Sequence, residues 1–164
     1  MRCLQLISVN LLLYLWNGWN DRKAEDMFHK GELAMKERTA PEPRCWRYDL
    51  GDGWIALAGK TDEDNDILSL QTARPADFWF HVHGMPGSHV VLQGPEGGEP
   101  SKELWMRAAA IAAWHSKARS GGICPVSCTQ VRHVSKPRGV PAGTVSIDHE
   151  RKLKVRPALP EGTE

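Results

Sequence analysis

The segment from residue 77 to 92, Asp-Phe-Trp-Phe-His-Val-His-Gly-Met-Pro-Gly-Ser-His-Val-Val-Leu, constrains the fold more than any other part of the chain. Its two ends alternate in the manner of β-strands, and the Gly-Met-Pro-Gly between them requires a sharp turn. The segment also carries His81, His83 and His89. We therefore expect two neighbouring strands whose turn gathers imidazole nitrogens and free backbone N–H groups at one tip.

The composition is that of a folded domain with unevenly distributed charge. Apolar residues make up 41% and charged residues 25% of the 164 positions, which argues against disorder. The net charge is only +1, but residues 41–101 hold 4 Lys/Arg against 10 Asp/Glu, whereas residues 102–156 hold 11 against 3. A basic half of this kind can bind a polyanion, although the two halves can equally neutralise each other within one fold.

The four cysteines do not form the framework of a disulfide-stapled secreted domain. On a strand, Cys124 and Cys128 would place their sulfurs on one face about 13 Å apart, which is too far for one metal ion. We therefore expect buried free thiols.

The amino-terminal segment predicts an extension rather than part of the main domain. Residues 4–15 are apolar but shorter than the roughly 20 residues that span a bilayer, and no signal-peptide cleavage site follows them. The segment is either an accessory helix or the result of a true start at Met27 or Met35. Because Pro41 and Pro43 break the polar helix expected before them, we divide the chain into an extension, 1–40, and a domain, 41–164.

The remaining pattern predicts an α+β fold, with a mostly antiparallel sheet packed against one main alanine-rich helix plus short helices. A hairpin is expected from residues 45–49 and 54–58. A short helix should begin at Asn65 or Asp66, and Ser101 should cap a long helix that Gly121 ends. Further strands are expected at residues 125–134, 144–147 and 152–155.

The three histidines allow two functional interpretations. His81 and His83 lie on the same face of a strand, so with His89 they can hold a metal ion such as zinc with an open position, as in a small metal-dependent enzyme. Alternatively, the backbone N–H groups of the turn, the Ser88 hydroxyl and the imidazoles bind phosphate oxygens, while nearby aromatic rings stack on bases. A simpler interpretation makes the histidines core residues and the turn a mere connection.

Basic residues elsewhere add to the second interpretation. Residues 132–139, Arg-His-Val-Ser-Lys-Pro-Arg-Gly, carry three cations around one proline, and Lys60 follows the second predicted strand. A basic loop of this kind supplies phosphate contacts but does not read bases.

Residues of about 50 to 156 resemble the NFACT-R domain, the RNA-binding domain of the NFACT proteins of ribosome quality control. The matching landmarks are Gly59-Lys60, Asn65-Asp66, Ala73 to Asp77, Trp79-Phe80-His81, Pro86-Gly87-Ser88-His89-Val90, Ala112-Ala113 with Ser116, Cys128-Thr129, Val134-Ser-Lys-Pro-Arg-Gly139 and Gly143-Thr-Val145. The family implies RNA binding near the ribosome, with tRNA or ribosomal RNA as ligand. His83 departs from the family, which more often has Arg or Lys there, and the chain looks like a stand-alone form of the domain.

We therefore expect a cytoplasmic RNA-binding module that binds tRNA or ribosomal RNA in association with the ribosome, without catalytic residues, metal, cofactor or membrane contact. A metal-dependent enzyme and a module that docks on a ribosomal protein remain the alternatives. The predicted RNA-binding residues are Lys60, His81, His83, Ser88, His89, Arg132, Lys136 and Arg138. The sequence makes no prediction about the oligomeric state.

Overall fold

A six-stranded antiparallel sheet with the main helix on one face dominates the computed structural model, which describes residues 41–161. The strands are β1 (Cys45–Gly51), β2 (Trp54–Gly59), β3 (Phe78–Val82), β4 (Val90–Gln93), β5 (Cys124–Gln130), β6 (Val134–Ser135), β7 (Ser146–Ile147) and β8 (Arg151–Val155). The large sheet has the order β1-β2-β4-β3-β5-β8, and β6 and β7 form a separate two-stranded ribbon. The helices are α1 (Asp62–Ile67), which continues into a π-helical segment (Leu68–Thr72), α2 (Lys102–Trp114) and a 3₁₀ turn (Val131–His133). The predicted α+β class is confirmed.

Helix α2 covers one face of the sheet because its alanines permit a close approach. The Ser101 hydroxyl accepts the Leu104 N–H at 3.2 Å, so the predicted N-cap is confirmed. Ala108 and Ala112 are fully buried and bring the helix backbone onto the strands, where Phe80 and Val90 form the centre of the core.

The end of α2 corrects the sequence prediction. The helix stops at Trp114, well before Gly121. The chain leaves the helix there because residues 115–117 form backbone hydrogen bonds with the turn that precedes β4. These hydrogen bonds join residues that are distant in sequence, so the helical pattern of the sequence does not reveal them.

The other face of the sheet is covered by α1, the π-helical segment and the β6–β7 ribbon. Leu68, Trp79 and Val91 form its core. Helix α1 begins at Asp62 with Thr61 as N-cap, so the predicted start at Asn65 or Asp66 is wrong. Three consecutive carboxylates in the first turn, at residues 62–64, stabilise this earlier start by complementing the helix dipole.

The predicted β1–β2 hairpin is confirmed, while the last strands differ in their pairing. Strand β5 ends at Gln130 and not at Val134, because the chain turns through a 3₁₀ segment. The two final strands exist as predicted, but β7 pairs with β6 and β8 pairs with β5. Cys124 and Cys128 are buried free thiols, as expected.

The predicted amino-terminal extension, its apolar segment and its polar helix lie outside the described residues. Across residues 41–161, none of the helices is long and apolar enough to cross a membrane.

Candidate nucleic-acid interface

A cleft of about 790 Å³ opens between the β1–β2 hairpin, the turn before β4 and the carboxyl end of α2. Its lining combines aromatic rings, cations and backbone. The lining residues are Trp46, Arg47, Tyr48, Lys60, Thr61, Asp62, Asn65, Pro86, Gly87, Ser88, Trp114, His115, Ser116, Lys117, Arg119 and Leu159.

Backbone hydrogen bonds fix the turn that forms one wall of this cleft. The Ser88 N–H donates to the carbonyl of His115 at 2.8 Å, and the Lys117 N–H donates to the carbonyl of Pro86 at 3.1 Å. Gly87 makes this close approach possible, since a Cβ there would lie 2.6 Å from the Ser116 Cβ. The turn and the helix end therefore form one rigid wall.

Two of the backbone N–H groups predicted to be free at the tip have partners inside the protein. The Ser88 N–H is used by His115, and the His89 N–H donates to the Asn65 Oδ1 at 2.9 Å. The Ser88 hydroxyl donates to the Gly59 carbonyl at 2.6 Å. Ser88 and the His89 N–H therefore hold the turn in place through internal bonds.

Aromatic rings form the second wall. Trp46 is 38% exposed and stacks on His115, with ring centroids 4.2 Å apart and planes 22° from parallel. The Tyr48 hydroxyl shares a 2.6 Å hydrogen bond with His115 Nε2. Burial, and secondarily the charge of Arg119, lowers the pKa of His115 to about 4. The imidazole is therefore neutral at physiological pH and supports the indole as an uncharged ring.

Cations surround these rings. The Lys60 Nζ lies 5.4 Å from the Trp46 ring centroid, and the Arg119 guanidinium lies 4.0 Å from that of Trp114. Arg47 and Lys117 are also exposed at the cleft. Within the described part of the chain none of these four cations forms a salt bridge, and Asp62 supplies the one carboxylate in the lining. Positive charge beside aromatic surface is the combination that binds single-stranded nucleic acids.

The three predicted histidines lie away from this cleft, on the sheet side opposite α2. His89 is 2% exposed, and its Nδ1 shares a 2.9 Å hydrogen bond with the Ser69 hydroxyl. That hydroxyl also accepts the Trp79 Nε1–H at 3.1 Å. Burial lowers the pKa of His89 to about 4, and burial also lowers the pKa of His81, whose ring centroid is 5.4 Å from that of His89. Both imidazoles are therefore neutral parts of a buried polar cluster.

His83 belongs to a separate, exposed network at the edge of the sheet. Its Nδ1 lies 3.0 Å from the Ser127 hydroxyl and 3.3 Å from Glu150 Oε1, while its Nε2 lies 3.2 Å from the Lys152 Nζ. The Ser127 hydroxyl donates to Glu150, and this bond holds the pKa of Glu150 below its usual value.

The histidines do not assemble as a metal centre. No group of three or more His, Cys, Asp and Glu side chains within residues 41–161 is placed to hold a metal ion. Because His89 is already bonded through Nδ1 inside the cluster, the three-histidine alternative gains no support from the geometry.

The three basic residues of the loop after β5 differ in their partners. Lys136 donates to Asp66 Oδ2 at 2.8 Å and to the Pro141 carbonyl at 2.6 Å, so it ties the loop to α1. Arg132 donates to the Gln130 side chain at 2.8 Å. Arg138 is exposed and has no side-chain partner in the described structure. None of the three lines the cleft.

A family model described as the NFACT protein RNA binding domain matches residues 45–149. The chain belongs to this family. The resemblance predicted from the sequence motifs is confirmed, and the match spans strands β1 to β7 together with α1 and α2.

Curated relatives agree with this assignment. The chain is 35% identical over 128 residues to the Rqc2 homolog RqcH of Bacillus subtilis, covering 78% of this chain and 22% of the relative. It is 34% identical over 140 residues to the Rqc2 homolog RqcH of Streptococcus suis, covering 84% and 25%. The chain thus spans about a quarter of the length of these relatives.

A solved structure also matches, that of the C-terminal part of the fibronectin/fibrinogen-binding protein from Streptococcus suis. It is similar to this NFACT RNA-binding domain with a TM-score of 0.65 and 30% sequence identity, covering 84% of this chain and 56% of that one.

Of the residues predicted to bind RNA, Lys60 and Ser88 line the cleft, and most of the other lining residues were not predicted. Trp46, His115 and Arg119 carried no prediction. Residues 115–119 were missed because the sequence predicted a helix that runs to Gly121, which made them part of its last turns. The sequence did contain one signal for an aromatic surface here. Trp46 and Tyr48 are two residues apart on a strand, so both rings lie on the same face.

Proposed function

We propose that this domain binds structured RNA, either tRNA or ribosomal RNA, in association with the ribosome during quality control, and that it performs no chemistry of its own. Membership in the NFACT RNA-binding family and similarity to Rqc2 homologs support this function. The observation that carries it is the cleft, whose lining combines an exposed indole with four cations that have no carboxylate partners in the described structure.

Four of the predicted site residues touch the RNA in this proposal. Lys60 binds phosphate at the cleft. His83, Arg132 and Arg138 make further contacts with the RNA backbone from exposed positions.

The other four predicted residues position the surface. Ser88 fixes the turn through its bond to the Gly59 carbonyl, and Lys136 fixes the loop through its bond to Asp66. His81 and His89 fix the strands beneath the turn, because their rings pack against each other in the buried polar cluster.

A charge-reversal experiment tests the role of the cleft. The Lys60→Glu/Arg119→Glu double variant should bind tRNA at least several-fold more weakly than the wild type. The log–log salt dependence of its affinity should flatten by about 0.7 for each single-strand phosphate that the variant no longer neutralises. Affinity is measured by titration at several salt concentrations.

The matched control reverses the same number of charges elsewhere. Lys102 and Lys154 are exposed and lie outside the cleft lining, so Lys102→Glu/Lys154→Glu should retain most of the wild-type affinity. Equal loss of affinity in both double variants would mean that only the total charge matters. An unchanged Lys60→Glu/Arg119→Glu variant would remove the cleft from the RNA interface.

A further inference from the structure

We propose that the cleft receives one unpaired nucleotide of the bound RNA, with its base stacked on Trp46 and its flanking phosphates held by Lys60 and Arg119. The inference rests on the proposed RNA-binding function and specifies which feature of the RNA the domain selects. It concerns single-stranded or flipped-out nucleotides, as opposed to the backbone of a continuous duplex.

The exposure of Trp46 is the first observation. On the same face of β1, Tyr48 and Leu50 are each only 5% exposed, whereas Trp46 is 38% exposed. An indole that contributed only to the core would be covered like its neighbours. His115 stacks on the indole and the Lys60 Nζ lies over it, so a planar ligand reaches the ring when the flexible Lys60 side chain moves aside.

The support behind Trp46 is the second observation. His115 stacks on the indole at 4.2 Å and is itself held by the Tyr48 hydroxyl at 2.6 Å. His115 is the C-cap of α2 and bonds to the turn through its backbone carbonyl. The indole is thus fixed before a ligand arrives, which lowers the entropy cost when a base stacks on it.

The cations beside the aromatic rings are the third observation. Lys60 lies next to Trp46, and Arg119 lies on Trp114. Packing against a ring orients a guanidinium without neutralising it, so its N–H groups stay available to phosphate oxygens. Two cations in one cleft, each beside an aromatic ring, match a nucleotide, whose base is flanked by a phosphate on each side.

The size of the cleft favours an unpaired nucleotide over a duplex. Its volume of about 790 Å³ falls within the range of small-ligand pockets, roughly 300–1,000 Å³. A rigid turn and a helix end form one wall of the cleft. Bases within a duplex already stack on each other, whereas unpaired bases are free to stack on aromatic side chains.

Substitution of Trp46 tests the proposal with the full chain and two RNA probes, a short oligoadenylate and a blunt RNA duplex of the same length. Base–aromatic stacking is worth about 1–3 kcal/mol, so Trp46→Ala should weaken oligoadenylate binding about 5- to 150-fold. Trp46→Phe should recover a large part of this affinity. Neither variant should change duplex affinity by more than about twofold.

Ile123 provides the matched control because it is 66% exposed, apolar and outside the cleft lining. Ile123→Ala should bind both probes like the wild type. Unchanged oligoadenylate affinity in Trp46→Ala, with tRNA binding retained, would overturn this inference and leave the proposed function standing. A wild type that binds none of the RNAs would overturn the proposed function and this inference with it.

Photocrosslinking provides a test that does not depend on folding of a variant. Wild-type protein irradiated with a thiouridine-substituted oligouridylate should crosslink at Trp46 or His115, as mapped by mass spectrometry. Crosslinks confined to the histidine side of the sheet, around His83, would contradict the assignment.

Discussion

At the scale of single residues, His89 has the clearest consequence for stability. Its pKa is lowered by burial to about 4, while in the unfolded chain it returns to about 6.5. Between pH 6.5 and about 4, the His89 imidazole therefore binds a proton in the unfolded state but stays neutral in the folded state. The contribution of His89 to the free energy of unfolding is therefore fully present above pH 6.5 and is lost as the pH falls toward 4.

Denaturant unfolding at two pH values measures this effect. His89 alone should lower the free energy of unfolding by about 2 kcal/mol between pH 7.5 and pH 5. His89→Asn should be less stable at pH 7.5 but should lose less stability on acidification, with His115 contributing to the remaining change. An equal loss of stability in wild type and variant would show that His89 is not the group responsible.

Arg138 gives the cleanest test of the basic loop, because Lys136 is committed to Asp66 and Pro141. Arg138→Glu should weaken tRNA binding a few-fold and leave thermal stability unchanged, since the exposed side chain has no partner in the described structure. Titration and thermal denaturation of the same sample separate the two effects. Full wild-type affinity would exclude Arg138 from the interface.

Trp79 and Phe80 show what the sequence reveals about single side chains. Adjacent residues on a strand point to opposite faces of the sheet, and the structure buries both rings because each face has its own core. Neither ring can stack on a base. Trp46, which is exposed, takes that role in our proposal, and its exposure depends on a helix end that is distant in sequence.

At the scale of elements, the turn against the end of α2 is the critical junction. In Gly87→Ala the added Cβ would lie 2.6 Å from the Ser116 Cβ and 3.1 Å from the His115 carbonyl oxygen. The variant should be about 1–3 kcal/mol less stable and should also bind RNA less tightly, since the cleft wall must shift.

Gly122→Ala is the control for this prediction. A Cβ at Gly122 meets nothing within 4 Å, and the backbone there is open to any residue. This variant should match the wild type in thermal denaturation and in RNA titration. A fully stable Gly87→Ala protein would mean that the turn is not packed as described.

The loop after β6 is a second case at this scale. The Lys136 Nζ is bonded to Asp66 at 2.8 Å, and Asp66 Oδ1 is buried without a hydrogen-bond partner in the described structure. Lys136→Met should cost about 1–3 kcal/mol by leaving this carboxylate unpaired. Hydrogen exchange should rise in residues 136–147 and stay unchanged in α2. Unchanged hydrogen exchange in residues 136–147 would contradict the view that the Lys136–Asp66 bond holds this loop against α1.

Local signals predicted the elements well where the residues involved are close in sequence. Ser101 and the β1–β2 hairpin followed from capping and alternation. The end of α2 did not, because His115 bonds to the turn across a long sequence separation. The start of α1 was mispredicted although its signals, the Thr61 cap and the carboxylates at 62–64, are local. The cleft lies where such distant hydrogen bonds meet, so only its Lys60 and Ser88 were predicted.

At the scale of the whole molecule, the uneven charge of the sequence allows two interpretations. Either the acidic and basic halves neutralise each other, or the basic half binds a polyanion, and the ion pairs favour the second. The acidic half, residues 41–101, and the basic half, residues 102–156, are joined by a lysine–carboxylate salt bridge at Lys136–Asp66 in the described structure. Most cations of the basic half form no salt bridge with any residue from 41 to 161. This is the charge distribution expected of a domain that binds a polyanion.

Titration of the purified, tag-free chain with tRNA and with a DNA duplex, at low and at high salt, tests the RNA-binding function itself. We predict that tRNA binds more tightly than the duplex and that its affinity falls as salt rises, because bound cations displace counterions. Equal binding of both nucleic acids, or no binding of tRNA at low salt, would contradict the assignment of this domain as an RNA-binding module.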